Sequence, residues 1–149
     1  MKGIVLVVVQ GPDAGRRFPI HVGQYRVVGR QEGVLGGTAI VPHGEQRRLE
    51  REDQRLVTEH LRKRAAPGLA GARNEVAAFE RAEDLELNDE AVSQTHAMVF
   101  VDEAGASVVD VASTNGTWVN SDKVSEGAIV VNDLLRVGET RFEILSNTT

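Results

Sequence analysis

The chain has 149 residues, 41% of them hydrophobic and 26% charged, with a formal charge of −5 and no cysteine. That is one domain of ordinary globular composition, able to bury roughly 68–70% of its unfolded surface without a staple. The lack of cysteine excludes a disulfide framework, a cysteine nucleophile, a thiolate zinc site and an iron–sulfur cluster. No run approaches the ~18 apolar residues of a membrane span, and the stretch at 4–9 is too brief for a signal peptide. A soluble, cytoplasmic protein that does not contact membrane is therefore expected. Residues 1–30 carry five bases and one acid, 31–83 carry nine of each, and 84–149 carry three bases and twelve acids. A nucleic-acid binder needs a basic face to release counterions from phosphates, so nucleic acid is not expected as a partner.

In chain order, residues 4–9 form a continuous β-branched run, read as a strand buried on both faces. Gly11-Pro12-Asp13-Ala14-Gly15 is a turn, and strands follow at 17–21 and 25–28. From Gln31 the texture changes. Gly33, Gly36 and Gly37 mark a loop, and residues 45–64 place Leu49, Leu56, Val57, His60 and Leu61 on one face of a thin amphipathic helix. Glu59 and Lys63 have the acid-then-base spacing of four that supports such a helix, and Pro67-Gly68 ends it. A second short helix is predicted over 72–82, with Val76 and Phe79 facing inward. After Asp84 the period returns to two, with strands at Leu85 and Leu87, 95–101, 107–111, 117–119, 129–131, 134–137 and 141–145. Many short strands at this spacing mean an all-β sandwich or barrel.

The strongest local signal is Ser113-Thr114-Asn115-Gly116-Thr117, lying between two strands. Tight turns use these residue types for their own sake. The segment follows Ser93-Gln94-Thr95-His96, however, and Val27-Val28-Gly29-Arg30 ends an earlier strand. Together with Gly11…Gly15…Phe18, Asp84-Leu85-Glu86-Leu87, Trp118-Val119-Asn120 and Leu135-Arg136-Val137-Gly138…Phe142-Glu143-Ile144, these pieces resemble the forkhead-associated domain. The resemblance covers about 90 residues, at 3–30 and 84–145. It implies an antiparallel β-sandwich of forkhead-associated type, with a helical insertion at 31–83 after the third strand and a short tail at 146–149.

The resemblance also implies a module that binds phosphothreonine-containing proteins, such as a Ser/Thr kinase or its substrate. Arg30, Ser93, Gln94, Thr114 and Asn115 would contact the phosphopeptide. Gly29, His96, Ser113, Gly116 and Thr117 would support the site. The physics agrees, because a planar arginine fork grips phosphate oxygens in pairs. A hydroxyl adds a donor, and asparagine offers both a donor and an acceptor to an extended main chain. Gln94 stands where the family usually has arginine, lysine or asparagine, so it can bond but adds no charge. Asn120-Ser121 replaces an asparagine–glycine turn.

A phosphate-independent scaffold, binding protein by its sheet surface or inserted helix, is the competing reading. An enzyme is not expected: there is no Gly-x-Ser-x-Gly elbow, glycine-rich phosphate loop with lysine, or His-Glu-x-x-His. His21, His43, His60 and His96 have no metal-ligand spacing, and no cofactor is implied. The insertion is expected to pack within its own chain and flank the peptide groove. Replacing residues 35–80 by a short loop is expected to leave a folded sandwich, since loop closure depends only weakly on length.

Overall fold

A computed structural model describes residues 2–31 and 49–147. Strands β1 (Gly3–Gln10), β2 (Arg17–His21) and β3 (Gln24–Arg30) open the chain. Helix α1 (Arg51–Ala65), a 3-10 turn at Val76–Ala78 and strands β4 (Glu80–Arg81) and β5 (Leu85–Leu87) follow. The rest is β6 (Ala97–Asp102), β7 (Gly105–Asp110), β8 (Thr117–Val119), β9 (Asp122–Val124), β10 (Glu126–Ile129), β11 (Leu134–Val137) and β12 (Thr140–Ser146). One sheet has the order β2-β1-β12-β11-β8-β9, and the other β10-β7-β6-β3-β4, with β5 also paired to β3. Most pairings are antiparallel, as expected of the sandwich. Strands β4 and β5 instead run parallel to β3, one after the other along the same edge.

Alternation along the strands builds the core between the sheets. Ile4, Leu6 and Val8 of β1 meet Ala97, Val99 and Val101 of β6, with Leu135, Val137, Phe142 and Ile144 completing the contact. The strand buried on both faces is not β1, whose Val9 is 47% exposed, but β6, all six of whose residues are buried. Its alternate residues Met98 and Phe100 point away from the sandwich into a second cluster with Tyr25, Val27, Val109, Val111 and Phe79. Tyr25 stacks on Phe100 at 5.2 Å between ring centroids, and Phe79 meets Phe100 edge-on at 5.1 Å.

Helix α1 covers that second cluster. It begins at Arg51, so the predicted turn at 49–50 is not helical, and predicted positions 45–48 and the glycine loop lie outside the described residues. The side chain of Glu50 and Asp53 form a reciprocal capping box, and Arg62, Lys63 and Arg64 sit in the last turn, where the helix dipole favours cations. Val57 and Leu61 are buried on the sheet, with Leu49 packed at the margin. Polar groups fix the helix in register. Arg64 grips Asp102 with two bonds of 2.7 and 2.5 Å, and Lys63 reaches Glu126 at 3.1 Å rather than its helical neighbour Glu59. His60, buried, donates from Nδ1 to Glu126 at 2.9 Å and accepts the Ser107 hydroxyl on Nε2 at 3.1 Å. Burial lowers the His60 pKa against the opposing pull of Glu126, so the ring is neutral and this contact is a hydrogen bond.

The second predicted helix is corrected: only Val76–Ala78 make a 3-10 turn, after which Phe79 is extended and Glu80–Arg81 join the sheet. Phe79 is buried, as expected of it, but by pairing the chain against β3. Other boundaries also move. The strand predicted at 95–101 is β6, beginning at Ala97, the one predicted at 129–131 is β10, ending at Ile129, and short β9 falls where no strand was expected.

The expectation that the insertion can be removed is also corrected. A loop in place of residues 35–80 would bare Tyr25, Val27, Met98, Phe100, Val109 and Val111. At ~1.5–3 kcal/mol per large apolar side chain, that burial is of the order of a whole domain's stability. The deletion is expected to yield aggregated or molten protein, checked by circular dichroism and gel filtration; a cooperative melt near the wild-type temperature would contradict it. A finer test is Arg64→Ala. Burial alone would raise the Asp102 carboxyl, but the Arg64 bonds and the backbone N–H groups of Arg73 and Ala104 hold it below its ordinary value. Removing the arginine strands that carboxylate without a countercharge and is expected to cost about 3 kcal/mol in denaturant unfolding. A change under ~0.5 kcal/mol would show that helix docking does not depend on the pair.

Candidate peptide-binding edge

The predicted site residues come from three loops that meet at one end of the sandwich. Arg30 ends β3, and its backbone N–H donates to the Ser93 carbonyl at 3.0 Å. The hydroxyl oxygen of Ser93 accepts the Thr114 backbone N–H, also at 3.0 Å. That oxygen has accepted, so its own O–H proton stays available to a ligand. Asn115 donates its side-chain amide to the Ala91 carbonyl at 2.8 Å, which spends part of its bonding capacity on tying the same two loops together. Gln94, Thr114 and Asn115 are exposed, and Arg30 and Ser93 are half-buried. The structure therefore brings all five predicted contact residues to one edge.

The supporting residues lie beneath them. His96 has no exposed surface. Its Nδ1 accepts the Ser93 backbone N–H at 3.1 Å, and its Nε2–H donates to the Gly116 carbonyl at 2.8 Å. One imidazole thus spans two loops. Burial lowers its pKa, more than the Gly116 bond and the Asp110 and Asp89 charges raise it, and the neutral ring is the form that both bonds require. Gly29 is buried opposite Glu86 in the β3–β5 pairing. Gly116 has φ of +88°, and a Cβ there would lie 2.8 Å from Lys123 Cε. The lysine tip can move, but the backbone conformation disfavours any other residue.

Sequence reading missed the three aspartates that hold these loops. Asp110 accepts the Ser113 N–H and hydroxyl, the latter a short contact, and the Thr117 hydroxyl at 2.7 Å. Ser113 in turn accepts the Gly116 N–H at 3.0 Å. This arrangement holds Ala112 at φ +58°, a conformation an alanine adopts at a cost of roughly 1–2 kcal/mol. Buried Asp89 takes Ala91 N–H on one oxygen, and Glu139 N–H and the Thr140 hydroxyl on the other. Buried Asp13 takes both Asn88 donors and Arg16, each at 2.8 Å; burial would raise its carboxyl, and these donors keep it low. A signal was present at Asp110, since aspartate is disfavoured in a strand such as Val108-Val109-Asp110.

Helix α1 packs away from the edge. The polar anchors of α1 are Asp102, Ser107 and Glu126, and Asp102 stands at the opposite end of β6 from His96. Thr38 and His43 lie outside the described residues. Among the described residues no group of histidines and carboxylates could hold a metal ion, and no helix is long and apolar enough to cross a membrane.

His96→Ala is expected to cost ~1–3 kcal/mol by leaving the Ser93 N–H and Gly116 carbonyl unpaired. The histidine also sets a pH dependence. A depressed folded pKa means that stability is complete above the unfolded value near 6.5 and falls as pH drops from there through the folded pKa. Melts between pH 5 and 8 are expected to show that acid loss in the wild type and a shallower one, owed to His60, in the variant. An unchanged melting temperature in His96→Ala would refute the bracing role.

Comparisons with known proteins agree with the fold. Residues 65–148 match the family model described as the cytoplasmic domain of the inner membrane component of the type III secretion system. An oxoglutarate dehydrogenase inhibitor from Corynebacterium efficiens is 35% identical over 63 residues, 42% of this chain; the chain spans only 44% of that relative's length. Among solved structures, the forkhead-associated domain of the CT664 protein from Chlamydia trachomatis superposes with a TM-score of 0.59 at 17% identity. That match covers 98% of this chain and 99% of the other. EmbR from Mycobacterium tuberculosis, solved with a low-affinity phosphopeptide, gives 0.57 at 14% identity, covering all of this chain and 26% of that one. The match at 65–148 takes in more than half of the chain, so the chain belongs to the family of that secretion-component domain, and its fold is that of a forkhead-associated domain.

Proposed function

We propose that this domain is a phosphothreonine-dependent binding module, not an enzyme, and that its ligand is a phosphorylated segment of a partner protein such as a Ser/Thr kinase or its substrate. The observation that carries the reading is the convergence of Arg30, Ser93 and Thr114 through two hydrogen bonds of 3.0 Å. A phosphothreonine brings about −1.5 to −2 charges and three strong acceptor oxygens. The Arg30 guanidinium supplies charge and paired donors, and the Ser93 hydroxyl and Thr114 add neutral ones. Gln94 and Asn115 serve the peptide main chain. Gly29, His96, Ser113, Gly116 and Thr117 hold the loops in place before the ligand arrives, so less ordering entropy is lost on binding. EmbR, of the same fold, was solved with a phosphopeptide, which supports the same ligand class here. In this reading α1 belongs to the domain as an outer layer over the second cluster and packs away from the edge.

Arg30→Ala is expected to weaken a library-selected phosphothreonine peptide by ~2–5 kcal/mol, at least ~25-fold, because a desolvated charge loses its partner. Arg30→Lys recovers only part, since a point charge does not replace the fork. Isothermal titration with phosphorylated and unphosphorylated forms of one peptide checks both. Binding of the alanine variant within threefold of wild type would overturn the proposal.

A further inference from the structure

The acidic half of the chain, residues 84–149, holds three bases: Lys123, Arg136 and Arg141. The fold gathers all of them into one line. Lys123 of β9 pairs with Trp118 of β8, Trp118 with Arg136 of β11, and Arg136 with Arg141 of β12. Their neighbours along each strand, Thr117, Leu135, Val137 and Phe142, are buried in the core, so alternation turns this row to the outer face of the sheet. Arg136 lies over the Trp118 ring, 5.4 Å from its centroid. Around them Trp118, Asn120, Ser121, Leu134, Arg136 and Arg141 line an open groove of about 360 Å³.

The charges in the row are not consumed by the fold. Among the described residues, the Lys123 and Arg141 side chains make no hydrogen bond or ion pair, and the Arg136 side chain uses only Nε, which donates to the Gly138 carbonyl at 3.0 Å. Glu143 is the next outward residue on β12 and pairs across to Leu134, which is 41% exposed. Placing three cations in one row costs mutual repulsion, which an anionic partner relieves. The apolar floor of Trp118 and Leu134 suits side chains between the charges of that partner. The row also differs from nucleic-acid grooves in having few cations for a phosphate backbone.

We propose that this outer face docks an extended acidic segment of a partner protein, with carboxylates on Arg136 and Arg141 and its apolar side chains over Trp118 and Leu134. This surface uses none of the five edge residues, although its Lys123 end adjoins the Gly116 loop, and it does not depend on phosphothreonine recognition.

Trp118 is the one tryptophan in the chain, so its fluorescence reports on the groove directly. The test titrates the full chain at low salt with a decapeptide of eight glutamates around a central leucine pair. The same titration is run with its lysine counterpart and with a single-stranded decanucleotide. A saturable change with the acidic peptide alone is expected, weakened by salt. It should fall at least tenfold in Arg136→Glu/Arg141→Glu and be unaltered in Arg30→Ala. Arg141→Glu, at an exposed unpaired residue, carries the test if the double variant melts early. No saturable change, equal binding by the charge-reversed chains, or tighter binding of the oligonucleotide would each overturn the proposal.

Discussion

The candidate site depends on one buried imidazole. Three loops, the first two more than sixty residues apart in sequence and the last two 21, must be held within hydrogen-bond distance, and loops carry little packing of their own. His96 joins two of them by facing both ways from a position with no exposed surface: it accepts from Ser93 on one side and donates to Gly116 on the other, while the Arg30 N–H ties the third to the Ser93 carbonyl. Only a neutral ring in one tautomer can do both, and burial keeps the ring neutral. Asp110, Asp89 and Asp13 extend the same device outward, each a fixed acceptor at which loop N–H and hydroxyl groups converge. The edge is therefore held in place by polar groups below it.

The second constraint is the two-sided burial of β6. A sheet with Met98, Phe100 and Tyr25 on its outer face cannot face water, and the inserted helix is what closes it. The insertion and the sandwich consequently stabilise each other. A helix with so narrow an apolar face would be marginal alone in water, and here it gains the sheet, the Arg64–Asp102 pair and the His60 bonds. Among the described residues nothing covers the outer face of the opposite sheet. Its outer face keeps Val9 and Leu134 exposed beside the Trp118 row.

Much of this was legible in the sequence because strong local signals coincide with it. Period-two alternation at Leu85 and Leu87 and turn residues at Gly11–Gly15 mark strands and a hairpin whatever surrounds them. The motifs ending in Arg30, beginning at Ser93 and spanning Ser113–Thr117 pointed to residues that the fold brings together. The failures are of three physical kinds. Strand β1 and strand β6 are both continuous apolar runs, and only the tertiary placement of α1 decides which is covered on both faces. The 72–82 segment has helix-favouring alanines, but Phe79 gains more from the aromatic cluster as extended chain, so packing overrides propensity. Asp89 and Asp110 lie outside the motif residues and Asp13 reads only as a turn residue, and their role appears only when donors from distant loops arrive. The row of cations was equally hidden, because Lys123, Arg136 and Arg141 become neighbours only through strand register.

The most direct test of the central claim is a two-dimensional amide spectrum of the labelled chain, recorded during titration with one phosphothreonine peptide and again with its unphosphorylated form. The account predicts that the phosphorylated peptide moves the amides of Arg30, Ser93, Gln94, Thr114 and Asn115 and leaves those of α1 in place, and that the unphosphorylated form moves none of them. Equal shifts with both peptides, or shifts centred away from that edge, would contradict it.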